Sequence, residues 1–348
     1  MRLPRLSPAA YRRITFVAAV ALAFIIVTGG AVRLTGSGLG CPDWPTCAED
    51  RVVAPWEYHA MVEFVNRSIT GLVSVAVILA VLGSLVRQPR RRDLTWLSLG
   101  LVGGVIGQIV LGGLTVLFHL WPPLVMGHFV LSMVLLANAV VLHHRAGRPD
   151  DPPAPGPGTR PAGTGPPGAI PPPAGPTLRS RPQPVVGRPL LLMGRLVLLA
   201  TALAILLGTV VTGSGPHGGD EDVDRLPFFL PDVARLHGVS VMLLLVLVLV
   251  TLWRLRREGA PAALLHRGEV LLAVLVAQAA VGYTQYFTGV PVLLVGVHIA
   301  GATAVWAATI HFLLGFTAPA EVRPGPGPTA HPGDEPHPAL LPSTRPLT

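Results

Sequence analysis

The segment GQIVLGGLTVLFHLWPPLVMGHF at 107–129 determines how this chain is interpreted, because a second version, AQAAVGYTQYFTGVPVLLVGVHI, occupies 277–299. Each copy consists of an apolar stretch, a turn that contains proline, and a second apolar stretch with a histidine near its start. His128 of the first copy and His298 of the second each follow a glutamine by 20 positions. A histidine inside a membrane helix is costly unless it has a partner or a function. The matched histidines therefore predict a duplicated protein with a paired ligand site.

The composition is that of an integral membrane protein. Of the 348 residues, 51% are hydrophobic and 13% are charged, and the mean hydropathy is +0.58. The net charge of +8 comes from arginines, since the sequence contains no lysine. Most of these arginines fall on one side of the predicted membrane, as the positive-inside rule expects. Because the membrane topology accounts for the basic charge, we expect no nucleic-acid partner.

The apolar runs predict eight transmembrane helices. The first run follows a basic leader and precedes no small-x-small cleavage site, so it is interpreted as a span and not as a signal peptide. The arginine-rich connections place both termini in the cytoplasm. Four spans in each half make the repeat parallel. The predicted fold is an all-α integral membrane protein whose eight helices form two tandem four-helix bundles. The predicted spans are about 14–32, 59–86, 94–117, 123–142, 190–211, 233–253, 268–287 and 291–316.

Four regions follow from this pattern. They are an N-terminal four-helix half at 1–143, a linker at 144–189, a C-terminal four-helix half at 190–316 and a tail at 317–348. The linker and the tail are rich in proline and glycine and cannot bury a core, so we expect both to be disordered and cytoplasmic.

The outer loop after the first span contains the two cysteines of the chain. In TGSGLGCPDWPTC at 35–47, Cys41 and Cys47 are six residues apart. In an oxidising compartment they are close enough to form a small disulfide ring, and two unlinked thiols are the alternative. A metal site is less favoured, because the loop supplies two thiols and no adjacent histidine.

The second span begins with a polar group of residues. Glu63, Asn66 and Arg67 lie at i, i+3 and i+4, so they share one face of the helix near its outer end. A carboxylate at that depth needs a partner or a function. Two interpretations are open: a functional acid, or a Glu63–Arg67 ion pair that anchors the helix end.

Three histidines lie at similar depth in the predicted membrane. His128, His237 and His298 each follow a proline at the outer start of a span by six or seven residues, and the repeat aligns His237 with Asn66. A single histidine of this kind is usually a hydrogen-bonded interfacial residue. A pair on facing helices of a bundle is typical of a bis-imidazole haem, and zinc is less favoured because no cysteine or carboxylate joins the pair. Arginines near the same surface could bind the haem propionates: Arg33, Arg67, Arg225 and Arg235.

In combination these features resemble the haem A synthase family. The resemblance rests on the duplicated eight-helix bundle, the loop TGSGLGCPDWPTC, the Glu-x-x-Asn-Arg run that starts at Glu63, GHFVLSM around His128, RLHG at His237 and VGVH at His298. It covers both four-helix halves and excludes the linker and the tail.

The resemblance implies an enzyme that oxidises the C8 methyl group of haem O to the formyl group of haem A, through two hydroxylations and a dehydration. The first half would hold haem O, with His128 as a ligand. The second half would hold a permanent haem b, bound by His237 and His298, that relays electrons. Glu63 would be the catalytic acidic residue, acting by proton transfer or by stabilising a cationic intermediate.

One position departs from the family pattern. Many relatives have histidine where this chain has Asn66, which with Arg67 belongs to the predicted haem-binding set. Asparagine is a poor haem ligand, so the substrate is expected either to be five-coordinate through His128 or to use His59 as a second ligand. An open axial position suits an enzyme, whereas a bis-histidine site mainly passes electrons.

The resemblance also implies a disulfide between Cys41 and Cys47 and a location in the cell membrane. The implied partners are lipid, haem O synthase and a membrane or soluble electron-transfer protein. A diheme b-type electron carrier without haem-modifying activity is the main alternative, but it predicts four histidine ligands where three occupy matched positions. A transporter is less favoured, because the polar groups lie at the outer helix ends and not at the midplane.

Overall fold

The computed structural model describes residues 5–47, 52–150 and 183–318. The central part of the predicted linker, 151–182, and nearly all of the predicted tail, 319–348, lie outside the described residues. The disorder expected for those two segments therefore stays a prediction.

Within the described residues the chain forms eight long helices and one short two-stranded ladder. The elements are α1 (Pro8–Leu34), α2 (Tyr58–Val86), α3 (Arg92–Leu117), α4 (Pro122–Ala146), β1 (Gln183–Pro184), α5 (Arg188–Ser214), α6 (Leu230–Arg257), α7 (Ala262–Phe287), α8 (Val292–Leu314) and β2 (Thr317–Ala318). All eight helices are long and apolar enough to cross a membrane. The predicted all-α, eight-span membrane fold is confirmed.

Several helices extend beyond the predicted spans. α1 starts at Pro8, several residues before the apolar run, because Ser7 caps it and accepts a hydrogen bond from the backbone N–H of Ala10 at 3.2 Å. α7 likewise starts at Ala262, after Pro261. Hydropathy marks the part of a helix that crosses hydrocarbon, whereas the backbone hydrogen bonds continue into the polar interface.

The eight helices pack as two rings of four. α1 contacts α2 and α4, and α3 lies between α2 and α4; α5 to α8 repeat this order. The rings meet where α1 and α4 pack against α5 and α8. Because α1 corresponds to α5 and α4 to α8, the contacts α1–α8 and α4–α5 are equivalent. This is the arrangement of a parallel repeat about an axis along the membrane normal.

Besides the aliphatic core of each ring, a third cluster fills the space between the rings. Ile26, Met133 and Leu136 are buried there, and Trp306 of α8 packs against them. The indole N–H of Trp306 donates a 2.7 Å hydrogen bond to the carbonyl oxygen of Met133 on α4. The two rings are thus joined by a specific polar bond as well as by packing.

The two ends of the helical bundle carry different residues. The cysteine-loop end carries the disulfide loop, residues 35–47. There Arg33 of α1 donates to the carbonyl oxygens of Thr212 (2.8 Å) and Gly218 (3.3 Å) in the second half. Thr212 lies in the last turn of α5, where carbonyls have few partners within the helix, so Arg33 bonds the end of this helix across the interface between the rings. Arg33, a predicted propionate partner, is therefore bonded to protein.

The opposite, arginine-rich end holds the two ends of the predicted linker. The guanidinium of Arg87 is fully buried and donates to both carboxylate oxygens of Asp150, at 2.7 and 3.0 Å. A buried guanidinium requires such a partner. At the other end of the linker, Gln183–Pro184 pairs in antiparallel fashion with Thr317–Ala318. The disorder predicted for 144–189 therefore does not extend to its first and last residues.

We predict that Trp306→Phe lowers the free energy of unfolding by about 1–3 kcal/mol, because it removes the hydrogen bond to Met133 and part of the packed indole. Unfolding of the purified protein in detergent would measure this. Trp96→Phe is the matched control, since Trp96 is 74% exposed on α3. Equal stability of the two variants would show that the bond between the rings contributes nothing measurable.

Candidate functional site

The second half brings two of the predicted histidines together. His237 of α6 and His298 of α8 face each other near the cysteine-loop end, with their ring centroids 6.3 Å apart. Nδ1 of His237 lies 3.0 Å from the carbonyl oxygen of Ala204 on α5. A metal-binding histidine usually donates its other ring N–H to an oxygen of this kind, which fixes the ring and frees Nε2. We assign that tautomer from the hydrogen bond.

Glycines of neighbouring helices leave room for both rings. A Cβ at Gly208 of α5 would lie 3.2 Å from Cε1 of His237, and a Cβ at Gly282 of α7 would lie 3.0 Å from Cε1 of His298. A larger residue at either position would push the ring out of place. The sequence alone gave no reason to single out these two glycines among so many.

The pair fits a bis-imidazole haem. A metal about 2 Å from one nitrogen of each ring places the ring centres about 6 Å apart, close to the observed separation. Nδ1 of His298 is buried, faces Gly282 of α7 and has no hydrogen-bond partner among the described residues, so this ring lacks the second bond that orients His237. Nowhere among the described residues do three His, Cys, Asp or Glu side chains lie close enough together to hold a metal ion. Two axial ligands suffice for an iron that the porphyrin already holds.

The first half contains the matching position on α4. A Cβ at Gly112 of α3 would lie 3.2 Å from Nε2 of His128, and Gly112 corresponds in the repeat to Gly282. Asn66, aligned with His237, has a buried Oδ1 that lacks a hydrogen-bond partner among the described residues. This half therefore presents one imidazole and one amide at the positions where the second half has two imidazoles.

The matched glutamines make the same bond in both halves. Nε2 of Gln108 donates to the carbonyl oxygen of His128 at 3.1 Å, and Nε2 of Gln278 donates to that of His298 at 2.8 Å. Each glutamine thus fixes the backbone of a histidine to the neighbouring helix. The spacing of 20 residues pointed to these glutamines, and the structure supplies their role.

Glu63 and Arg67 fasten the disulfide loop to α2. Glu63 is only 6% exposed; its Oε2 accepts from the backbone N–H of Cys41 at 2.8 Å, and its Oε1 accepts from Nη2 of Arg67 at 2.6 Å. Arg67 also donates to the carbonyl oxygens of Cys41, Asp43 and Thr46. The ion pair considered from the sequence is present, and it holds a loop as well as the helix end.

The loop itself is closed by a disulfide between Cys41 and Cys47, whose side chains are buried. The expected disulfide is therefore present. His59, the suggested alternative ligand, is exposed, and its Nδ1 lies 3.0 Å from Oγ of Ser37. Its visible contact is with the loop.

The four arginines considered for the propionates fall into two groups. Arg33 and Arg67 are bonded to protein oxygens. Arg225 and Arg235 are exposed at the cysteine-loop end, where Arg225 donates to the carbonyl oxygen of Pro216 at 3.4 Å and Arg235 lies 3.5 Å from the exposed carboxylate of Asp232. Exposed pairs of this kind are weak, so Arg235 can exchange its partner easily.

The sequence is similar to known proteins along much of its length. Residues 12–216 match the COX15-CtaA family, described as cytochrome oxidase assembly protein. This range contains Glu63 and His128, together with the disulfide loop, and ends before His237 and His298.

Several bacterial haem A synthases resemble parts of the chain. The identity is 27% over 119 residues with that of Exiguobacterium sibiricum, covering 34% of this chain and 40% of that protein. It is 27% over 142 residues with that of Shouchella clausii (40% and 47%) and 32% over 124 residues with that of Listeria welshimeri (34% and 40%). The chain thus spans less than half the length of these relatives in each match. Since the family match extends over more than half of the described helical bundle and of the chain itself, the protein belongs to the haem A synthase family of cytochrome oxidase assembly proteins.

Proposed function

We propose that this protein is a haem A synthase, which oxidises the C8 methyl group of haem O to a formyl group by two hydroxylations and a dehydration. The observation that carries the proposal is the unequal pair of sites: two facing imidazoles in one half, and one imidazole with an amide at the matched positions of the other. An electron carrier and a reactive site are expected to differ in this way.

The second half is the electron-carrying half. His237 and His298 would hold haem b, which when bound supplies a one-electron carrier beside the substrate. The Ala204 carbonyl orients the ring of His237, and Gln278 fixes the backbone of His298. Fixed ligand rings favour electron transfer, because little has to rearrange when the oxidation state changes.

The first half is the substrate half. His128 would bind haem O on one side, and Asn66 would leave the other axial side open to a reactant. The buried and unpartnered Oδ1 of Asn66 is available to accept a hydrogen bond from water or from a hydroxyl group introduced into the substrate. Arg225 and Arg235, at the exposed end, are the arginines available for propionates.

Glu63 is the proposed catalytic carboxylate. The N–H of Cys41 and the guanidinium of Arg67 stabilise its ionised form. That form can accept a proton from a hydroxylated methyl group or stabilise positive charge on the substrate.

The proposed location is the cell membrane, with the arginine-rich end and both termini in the cytoplasm. The disulfide loop then lies in an oxidising compartment, which agrees with a closed Cys41–Cys47 bond. Haem O synthase and a membrane or soluble electron-transfer protein are the proposed partners. The linker and the tail would lie on the cytoplasmic side.

We predict that Glu63→Gln lowers haem A formation by roughly 100-fold or more, because the amide cannot accept a proton. Its single oxygen can also keep only one of the two contacts, that with Cys41 or that with Arg67. The measurement is reversed-phase analysis of haems extracted from a host that makes haem O but no haem A. Glu57→Gln is the matched control, since Glu57 precedes the same helix and is exposed.

The outcomes separate the two main functions. Haem A with the wild-type protein and with Glu57→Gln, but not with Glu63→Gln, supports the proposal. Unchanged haem O with the wild type, despite bound haem b, good expression and an intact host electron supply, would instead indicate a diheme b-type electron carrier.

We also predict that the histidines separate by haem content. His237→Ala and His298→Ala lose haem b from the purified protein, whereas His128→Ala keeps haem b and makes no haem A. Absorption spectra and extracted haems give the occupancy directly, and the exposed His266→Ala serves as control. Full haem b content in His298→Ala would exclude that residue as a ligand.

A further inference from the structure

At two pairs of matched positions, one half has a large residue where the other half has glycine. Arg67 follows Asn66, and Gly238 follows His237, so these two positions correspond. Tyr283 stands five residues after the matched glutamine of α7, where the first half has Gly113. In the second half the hydroxyl of Tyr283 lies 4.0 Å from where a Cβ of Gly238 would be. An aromatic side chain of α7, itself 47% exposed, thus reaches the glycine on α6.

In the first half the aromatic ring comes from outside the helices. A Cβ at Gly113 of α3 would lie 2.7 Å from Cδ2 and Cε2 of Trp44, so the indole occupies the space above this glycine. Any side chain at position 113 would displace it. The seam between α2 and α3 is therefore covered by a residue of the disulfide loop.

Each ring packs on a glycine one position along the helix from a residue of the matched set, about 100° around that helix. Gly113 follows Gly112, the glycine that faces Nε2 of His128, and Gly238 follows His237. Trp44 is held there because Arg67 donates to the carbonyl oxygens of Asp43 and Thr46, on either side of it in the loop. Its side chain is not enclosed, since Trp44 is 39% exposed.

Tyr283 and Trp44 differ in the part of the structure that must move for the ring to leave its glycine. Tyr283 belongs to the regular part of α7, so its backbone can move only if the helix shifts. Trp44 belongs to a loop that is fixed by hydrogen bonds of Glu63 and Arg67, by a backbone bond from Gly38 to Gly219 and by a disulfide. Those hydrogen bonds would have to open for Trp44 to move, but no helix would have to shift. A permanent cofactor requires only a ring carried by a helix, as Tyr283 is. A substrate that enters and a product that leaves require a ring carried by a loop, as Trp44 is.

We propose that Trp44 contacts the tetrapyrrole of haem O and closes the first-half site over it, leaving Gly113 whenever substrate enters or product departs. This inference rests on the proposed function. The indole offers a flat apolar face, which stacks favourably on an aromatic macrocycle. Tyr283 provides the permanent counterpart for haem b.

The test is the rate at which each haem leaves the purified protein. Protein from a haem O-producing host, with haem b bound, is mixed in detergent with excess apomyoglobin and no electron donor. Haems that remain bound are extracted over time and identified by reversed-phase chromatography. Haem O, together with any haem A, reports on the first half, and haem b reports on the second.

We expect Trp44→Ala to release haem O roughly tenfold faster, as for the loss of one stacked ring, with haem b release unchanged. Gly113→Ala should act in the same direction although the indole is still present, and Trp44→Phe should restore slow release in part. Tyr283→Ala should accelerate haem b and not haem O. Trp56→Ala, at a position 94% exposed, should change neither rate.

The possible results are distinct. Two bound haems with a haem O release rate that Trp44→Ala and Gly113→Ala leave unchanged would overturn the closure by Trp44 and leave the proposed function intact. Wild-type protein that binds haem b but no haem O would overturn both. Faster release of both haems in Trp44→Ala would show general loosening of the bundle and also overturn the inference.

Discussion

A polar side chain buried in a membrane protein has to be satisfied, and the architecture of this chain follows from how that requirement is met at one end of the bundle. In the first half the carboxylate of Glu63 is satisfied entirely by protein, through the N–H of Cys41 and the guanidinium of Arg67. In the second half His298 keeps a buried nitrogen without a partner among the described residues. Buried atoms without a partner among the described residues occur in both halves, at Asn66 and Gln108 in the first and at His298 in the second, so the first half is distinguished by the loop that Glu63 and Arg67 hold.

The held loop has consequences beyond its own half. Gly38 in the loop donates its N–H to the carbonyl oxygen of Gly219 in the second half, at 2.9 Å, close to where Arg33 bonds the end of α5. The loop therefore lies across the junction of the two rings. Deeper in the bundle, Trp306 joins α8 to α4, the helices that carry His298 and His128. The relative position of the two sites is set by contacts at both levels.

Periodic features of the sequence predicted the fold well. Contacts between residues that are far apart in the chain could not be predicted from such features. Apolar runs predicted all eight helices, and the repeat predicted the rings and the matched histidines. Nothing periodic marks the bond of Arg87 to Asp150, the pairing of β1 with β2, or the packing of Trp44 on Gly113. Each depends on how segments far apart in the chain meet in three dimensions. The i, i+4 spacing did allow the Glu63–Arg67 pair to be considered, but the backbone groups that the pair binds were not predictable.

The differences between the halves depend on one another. Arginine at the position of Gly238 requires a carboxylate nearby, because an unpaired guanidinium at that depth is unfavourable, and Glu63 supplies it. The arginine can then hold a loop by its carbonyl oxygens, and a held loop can place an indole where α3 has only Gly113. Tyrosine at position 113 would compete with that indole for the same space. Exchanging Glu63, Arg67 or Gly113 for its counterpart in the second half would therefore leave either a charge without a partner or an aromatic ring without room, so these first-half residues depend on one another.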